Sequence, residues 1–576
     1  MDNKPKKQAD KQASAESPYK LLSLRTGKPK DWAAGIPGVT NAIKSLISNK
    51  ALVRGGKASF KMNQFDGFDC PSCGWPDPDD NRSPIAEYCE NGAKALAEEA
   101  TNKRITAEFF KQNSVYNLSQ LTDYEIGHLG RLSEPMHLPK NGTHYEPISW
   151  DNAFKKIAEH LNALESPDNA AFYTSGRTSN EASFAYQLFV REFGTNNFPD
   201  CSNMCHETSG FTLASVTGIG KGTATLKDFY DTDIIMIIGQ NPGTNSPRML
   251  SALEKGKKNG AKIIAVNPLP EAGLMGFRDP QKISGILGKG IQLADLHLPV
   301  KINGDLALLK AIEHLLLHFE KETPGKVFDQ EFIKNKTVGY EDLIKQIESY
   351  DLDELANVSG VLKEDIQKAA EMLAHKNRII ICWGMGLTQQ PNGVDILKEV
   401  LNLLFLKGSI GKPGSGSCPV RGHSNVQGNR TMLINHSPSV EQLDKLQEVF
   451  GFNPPRNNGY DVVNTIKAMN EGKIKVHFSM GGNFLSATPD TTYTANGMRQ
   501  LDLSVSVSTK LNRTHLTHGK EALILPTISK SEIDVVNDEH QYTSAENAMG
   551  IVEWSKGVLK PISNKLINET HIVCRM

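Results

Sequence analysis

The sequence predicts an α/β protein of several domains built on parallel sheets, and three observations carry that expectation. The chain has 576 residues, too many for one hydrophobic core, and a length that suggests three or four domains. Residues 233–241 (Asp-Ile-Ile-Met-Ile-Ile-Gly-Gln-Asn) and 261–267 (Ala-Lys-Ile-Ile-Ala-Val-Asn) are near-continuous apolar runs joined by a helical segment that reaches Lys258. That order is a βαβ unit, and continuous apolar strands are what a parallel sheet covered on both faces requires. The same strand-then-glycine pattern returns at 378–386, at 475–483 and, shorter, at 522–527.

Composition excludes several functions. Lys plus Arg is 64 and Asp plus Glu is 65, a net charge of −1. No field of one sign is available to hold a nucleic-acid backbone, so no nucleic-acid partner is expected. The apolar runs fall far short of the ~18–20 residues of a membrane helix, so no membrane insertion is expected either. With no apolar signal core and no twin-arginine pair near the start, the expected compartment is the cytoplasm. Eight cysteines, unevenly spread, do not make a disulfide framework. Cys382, Cys418 and Cys574 read as core filler.

Met1 to about Lys20 is Lys-, Gln- and Ala-rich with almost nothing apolar, and reads as a solvated, disordered arm within residues 1–30. A short amphipathic segment follows from Trp32. Next comes Phe65-Asp-Gly-Phe-Asp-Cys70-Pro-Ser-Cys73-Gly-Trp-Pro-Asp77, and then Cys89 at the head of a helix. A Cys-x-x-Cys loop wraps one side of a metal, and a thiolate at a helix N-terminus is favoured by unpaired N–H groups and the dipole. Zinc or a cubane cluster takes four ligands and three thiols are present; Asp77 stands where a third loop ligand falls in a Cys-x2-Cys-x3-Cys pattern. A plain pair of reduced thiols is the other reading. Residues 151–164 read as an amphipathic helix, 170–173 as a strand, and a further helix runs to Phe193.

The stretch Cys201-Ser-Asn-Met-Cys205-His206-Glu-Thr-Ser-Gly210 joins a soft metal ligand to a residue that carries a proton near neutral pH. The bland alternative is a small buried Cys beside a satisfied His. Residues 216–222, Val-Thr-Gly-Ile-Gly-Lys-Gly, imitate a dinucleotide fingerprint, but no strand precedes them, and they read as a loop. Residues 408–430 form a long glycine-dense loop with Arg421, His423 and Gln427, of a length that in compact domains is usually functional or disordered, and after a Leu-rich helix it reads as functional.

These pieces together resemble the molybdopterin oxidoreductases, in particular the catalytic chain of formate dehydrogenases. The residues that carry the resemblance are Cys205-His206, Ile238-Gly-Gln-Asn-Pro, Ala261-Lys-Ile-Ile-Ala-Val-Asn-Pro, Trp383-Gly-Met-Gly, Leu406-x-Gly-x-Ile-Gly-Lys-Pro-Gly and Pro419-Val-Arg-Gly-x-x-Asn-Val-Gln-Gly. The resemblance implies a bis-molybdopterin guanine dinucleotide (bis-MGD) cofactor with molybdenum or tungsten bound by Cys205. It implies His206 as the adjacent proton carrier and Arg421 as the cation that holds a small anionic substrate. The cofactor's dinucleotide tails would be gripped by Gly239, Gln240, Asn241, Asn267, Asp305, Gly384, Met385, Gly386, Gln427, Gly481 and Asn483. A 4Fe-4S cluster would sit on Cys70, Cys73, Cys89 and either Asp77 or an exogenous ligand. Its electrons would pass to a carrier protein or redox subunit. The implied fold is the molybdopterin oxidoreductase fold: an iron–sulfur region over residues 31–125, a discontinuous α/β domain over 126–200 and 424–540, a second over 201–423, and a return to the N-terminal region over 541–576.

Departures from the family's pattern are expected to matter. Asp77 stands near the third cluster cysteine, Asn91 replaces the lysine that links cluster and pterin, and Glu-Thr-Ser follows His206. That pattern resembles a formate-dehydrogenase-like branch implicated in acid resistance. The sequence also stops where the family's cofactor-closing domain would begin. The expected reaction is a two-electron redox change of a small molecule; the alternatives are a catalytically inactive cofactor-binding remnant and one half of a split enzyme.

Overall fold

The structure, a computed structural model, describes residues 12–19 and 27–576. The N-terminal region holds helices α1 (Gly35–Ser48), α2 (Leu52–Ser59) and α3 (Glu90–Glu99), the last capped by Cys89 as expected. Then come β1 (Met136–Leu138), β2 (Glu146–Pro147), α4 (Trp150–Asn162), β3 (Ala170–Thr174) and α5 (Asn180–Phe193). Ser149 caps α4 through Asn152 N–H, and Ala153, Phe154, Ile157 and Leu161 form its buried stripe. Ser179 starts α5, and Gly194, at φ +112°, ends it in the left-handed region that glycine enters without strain.

The middle of the chain gives α6 (Glu207–Thr217), β4 (Ile234–Ile238), α7 (Arg248–Lys258), β5 (Lys262–Val266), β6 (Leu296–Leu298), α8 (Asp305–Glu322), β7 (Ile379–Trp383), α9 (Gly393–Leu406) and β8 (Gly416–Pro419). Its five strands form one parallel sheet in the order β6-β5-β4-β7-β8. The unbroken apolar runs are explained by the two cores that this sheet separates. In β4, Ile234, Met236 and Ile238 enter one core with α8 and α9 residues, while Ile235 and Ile237 enter the other with Met249 and Leu253 of α7. β7 divides in the same way, Ile379, Ile381 and Trp383 against Ile380 and Cys382. Each fully buried aliphatic side chain of this kind stabilises by about 1.5–3 kcal/mol.

The chain returns through β9 (Val476–Met480), β10 (Leu503–Ser508) and β11 (Glu521–Pro526) and ends in α10 (Glu569–Arg575). These strands complete a second sheet, β2-β1-β11-β10-β9-β3, parallel from β11 to β3 and antiparallel at the β1–β2 edge. One sheet is thus assembled from segments on either side of the other in sequence.

Three expectations change. β8 lies inside the stretch read as a glycine-dense loop; its cross-strand partner is β7, with Cys418 opposite Cys382. The polar alternation Leu-Ser-Val-Ser-Val-Ser hides β10 in the sequence, yet it is a central strand, paired on both sides. The solvated arm is corrected for residues 12–19: Ser14 N–H donates to Ser119 Oγ, Arg499 donates to the Ala13 carbonyl, and Thr492 Oγ1 donates to Glu16. Residues 1–11 and 20–26 of that arm lie outside the described residues.

Candidate active site

In the five-stranded sheet the chain runs outward from β4 in one direction and from β7 in the other, so the strand order reverses between them. Ligands of open parallel sheets bind outside the strand ends at such a switch point. Gly239-Gln240-Asn241 follows β4 and Gly384-Met385-Gly386 follows β7. The two turns touch: a Cβ on Gly386 would lie 2.6 Å from Gly239 Cα, and Gly386 N–H donates to the Gly239 carbonyl at 3.1 Å. Gly239 is also at φ +58°. Glycine is needed at both positions for approach alone.

A cavity of about 1030 Å³ opens there and extends to the other sheet's strand ends. It is lined by Cys205, His206, Gly239, Gln240, Asn241, Asn267, Gly384, Met385, Gly386, Gly481 and Asn483 among the residues named from sequence. Asn267 Nδ2 donates to the Gln240 carbonyl at 3.0 Å, and Asn241 caps the turn after it by accepting from Thr244 N–H. Gly481, at φ +72°, brings the turn after β9 against Ser175, where a Cβ would meet Ser175 Oγ at 2.9 Å. Asp305 and Gln427 stand behind this lining. Asp305 accepts from Gln390 Nε2 at 2.9 Å, and Gln390 in turn donates to the Gly386 carbonyl. Gln427 is buried with its Oε1 unpartnered.

Cys205 sits at the end of a short turn (Cys201–Met204) with its carbonyl held by Thr388 Oγ1 at 2.7 Å. Burial pushes its thiol up, and the charge of Arg421 and the Gly422 N–H pull it back. Arg421 is itself buried, which holds it down to about 10 while Cys205 raises it. Its Nη2 donates to the Gly220 carbonyl at 3.1 Å and its Nε has no partner. The glycine run that imitates a fingerprint therefore follows helix α6, as a loop, and anchors Arg421. His206 is buried and lowered to about 3 by that burial and by Arg421, so it is a neutral imidazole at physiological pH. Trp383 Nε1 donates to Ser209 Oγ at 2.9 Å, which leaves the Ser209 hydroxyl proton for His206 Nδ1, also at 2.9 Å. The Val420 backbone opposes the lowering of His206.

Sequence reasoning missed Ser209, Cys201 and His423 as site residues. Cys201 Sγ lies 3.3 Å from His423 Nδ1, and both line the cavity. Both stand in stretches singled out from sequence, but nothing local pairs residues so far apart.

The three N-terminal thiols are brought together. Burial pushes all three up, Cys73 to about 11, and Cys89 acts on Cys70 and Cys73. The Asp77 carboxylate pairs with Arg248 and, at 3.5 Å, with Arg82, so here it is turned to cations. Asp69, Asp77 and Glu553 do approach as one ion's ligands would, but Lys530 pairs with Asp69 and the two arginines with Asp77. Asn91 Nδ2 donates to the Thr244 carbonyl at 2.7 Å, tying the head of α3 to the cavity turn after β4.

Residues 131–550 match the model of the molybdopterin oxidoreductase family. The chain belongs to that family. An uncharacterized oxidoreductase of Mycobacterium tuberculosis is 50% identical over 558 residues, 97% of this chain and 72% of that protein. Protein YdeP of Escherichia coli is 43% identical over 559 residues, 96% and 73% of the two chains. Formate dehydrogenase H of Escherichia coli is 28% identical over 471 residues, 78% and 62%. Among solved structures, acetylene hydratase from Pelobacter acetylenicus shares the fold with a TM-score of 0.57 at 20% identity, covering 77% of this chain and 60% of that one. Molybdopterin oxidoreductase membership implies a molybdenum or tungsten pterin cofactor. The residues present fit one: a soft thiol, two glycine turns in backbone contact, and a buried Gln240 Oε1 without a partner, all on one large cavity. Among the described residues no helix is long and apolar enough to cross a membrane.

Proposed function

We propose that this protein carries out a two-electron oxidation or reduction of a small molecule at a molybdenum or tungsten centre held by bis-MGD, as a formate dehydrogenase-like oxidoreductase. The observation that carries the reading is Cys205 on the cavity wall beside Val420 and Gly422, with the charge of Arg421, buried between those two residues, acting on its thiol. The metal, when bound, supplies the two-electron redox chemistry. Cys205 offers it a soft ligand, and binding draws off the thiol proton that burial otherwise retains. Arg421, fixed through Gly220, presents a planar cation that orients a carboxylate or similar anion and stabilises charge developing on it. His206, next to Cys205 in sequence, would handle its proton at Nδ1, through the Ser209 hydroxyl that bonds this nitrogen, with burial and Arg421 favouring the neutral ring. The turns after β4, β7 and β9 would hold the dinucleotides through backbone groups. Cys70, Cys73 and Cys89 would hold an iron–sulfur cluster, its remaining position taken by an exogenous ligand, as the one-electron outlet to a carrier protein or redox subunit.

Metal analysis combined with nucleotide release by acid tests this. About one molybdenum or tungsten and two guanine nucleotides per chain are expected. Folded protein free of both would sink the reading. The incomplete thiol set favours a second reading, a cofactor-binding protein without turnover. Bound pterin with no reaction toward any donor or acceptor would select it.

A further inference from the structure

The outward side of α1 is apolar where a surface helix is ordinarily polar. Ile36, Val39, Ile43 and Ile47 recur at three- and four-residue spacing and all stand exposed, and Leu52 and Val53 extend the stripe onto α2, Val53 at 83% exposure. Along α1 and α2 themselves the charge has one sign, while Val39 and Ile43 also border a cavity lined by Asp79, Glu87, Glu90 and Asp279 together with Arg248 and Lys255. Residues 32–61 contain Lys44, Lys50, Arg54, Lys57 and Lys61 and no Asp or Glu. Arg54 pairs with Glu532 and Lys61 with Asp66, whereas Lys44, Lys50 and Lys57 make no ion pair among the described residues. In a chain whose net charge is −1, that is a local excess.

What lies beneath makes the surface specific. Cys70 is enclosed in a small core with Ala51, Ala58, Met62 and Leu96, against which Leu46 of α1 packs. α1 also lies along α3, the helix that Cys89 caps. The α1–α2 pair is therefore the layer between the thiols and solvent on this side. Apolar contact gives a docking partner hold, and exposed lysines without ion pairs among the described residues steer one of opposite charge.

We propose that the outer face of α1 and α2 is the docking surface for a small, acidic, one-electron carrier protein. The proposal rests on reading Cys70, Cys73 and Cys89 as the ligands of an iron–sulfur cluster. An anionic membrane surface would also attract lysines, but it accepts no electrons, and the placement over the thiols selects a redox protein.

The test uses the full chain and an acidic plant-type ferredoxin as probe, with affinity measured by titration calorimetry under anaerobic conditions. Binding at about 50 mM salt should weaken at least about tenfold at about 500 mM, because the attraction is between exposed charges. The triple variant Lys44→Glu, Lys50→Glu, Lys57→Glu and, separately, Ile43→Asp should each weaken binding at least about tenfold at low salt. These positions are exposed, and an unchanged melting curve shows that the variants are folded. Affinity unchanged in both variants overturns the proposal. So does binding to phosphatidylglycerol vesicles, abolished by the same variants, with none to ferredoxin. Iron and sulfide are assayed in the same samples. Iron present and reducible by dithionite without ferredoxin binding overturns the docking surface alone. Ferredoxin binding that the variants abolish, in protein that never takes up iron, supports the surface and removes the cluster reading.

Discussion

The Cys201 thiol lies 3.3 Å from Nδ1 of His423, across 222 positions of sequence. It joins the turn that presents Cys205 to the loop that presents Arg421. Gly176, after β3, makes room for the pair: a Cβ there would fall 2.8 Å from His423 Cβ. Two cysteines thus line one cavity, and the structure gives them different surroundings. Cys201 faces an imidazole, and Cys205 faces a guanidinium.

That difference predicts a split between two variants. Cys205→Ser should abolish turnover while leaving stability within about 1 kcal/mol, since a hydroxyl replaces a thiol of similar shape but is a harder ligand. Cys201→Ala should retain measurable turnover and cost about 1 kcal/mol in denaturant unfolding through lost contact with His423. Retained activity in the serine variant, with loss in the alanine variant, would exchange the two assignments.

Arg421→Lys should reduce turnover by at least about a hundredfold with little change in melting temperature. A lysine keeps the positive charge but cannot both reach the Gly220 carbonyl and present a planar fork to the substrate. Steady-state rates of the two proteins, loaded to the same metal content, decide it. Equal rates would mean that only charge is needed.

Asp77→Asn separates anchor from ligand. Arg248 is buried between Asp77 and Glu87, so losing one carboxylate should destabilise the fold by about 2–4 kcal/mol. Iron per chain should stay unchanged in the variant that remains folded. Loss of one iron at unaltered stability would restore Asp77 as a cluster ligand.

Gly386→Ala should weaken nucleotide retention more than any surface change. The added Cβ meets Gly239 Cα at 2.6 Å, and backbone on both sides leaves no side chain to move aside. A destabilisation of about 2–3 kcal/mol is expected, with guanine released at lower temperature on heating. Normal nucleotide content and melting would mean that these turns part without consequence.

Acidity should unfold this protein through its histidines. Burial lowers His206 and His477 to about 3, and His423 and His515 to about 4. An unfolded histidine protonates near pH ~6.5, so between that value and ~4 the unfolded state binds more protons and stability falls as pH falls. Each group contributes up to about 1.4 kcal/mol per pH unit in that window. His477 lies in β9 between Val476 and Phe478 and faces Phe484. His477→Gln should therefore reduce the slope of stability against pH by one proton, measured by urea unfolding at pH 5 and 7. An unchanged slope would mean that this histidine does not titrate with folding.

What the sequence determined by itself was whatever repeats over a few residues. Two-sided apolar runs fix β4, β5 and β7, because each side chain has a core to enter whichever face it takes. The glycines that end those strands mark where backbone must come close, and Cys205-His206 is a contiguous pair that chemistry alone makes conspicuous. Cys89 at a helix start was legible for the same local reason. The tertiary structure decided which distant groups meet. Asp77 has the spacing of a cluster ligand, yet Arg248, 171 positions away, claims it, because a buried guanidinium must be neutralised somewhere. Gly220 looks like part of a nucleotide fingerprint and instead holds Arg421; Cys201 finds His423; residues 12–19, with no apolar run, pair their backbone with Ser119 and Arg499. A hydrophobic pattern is read along the chain because burial depends on each residue's own surface. The partner of a charge or a hydrogen-bonding group is not, because it depends on which parts of the chain the two sheets bring to the same place.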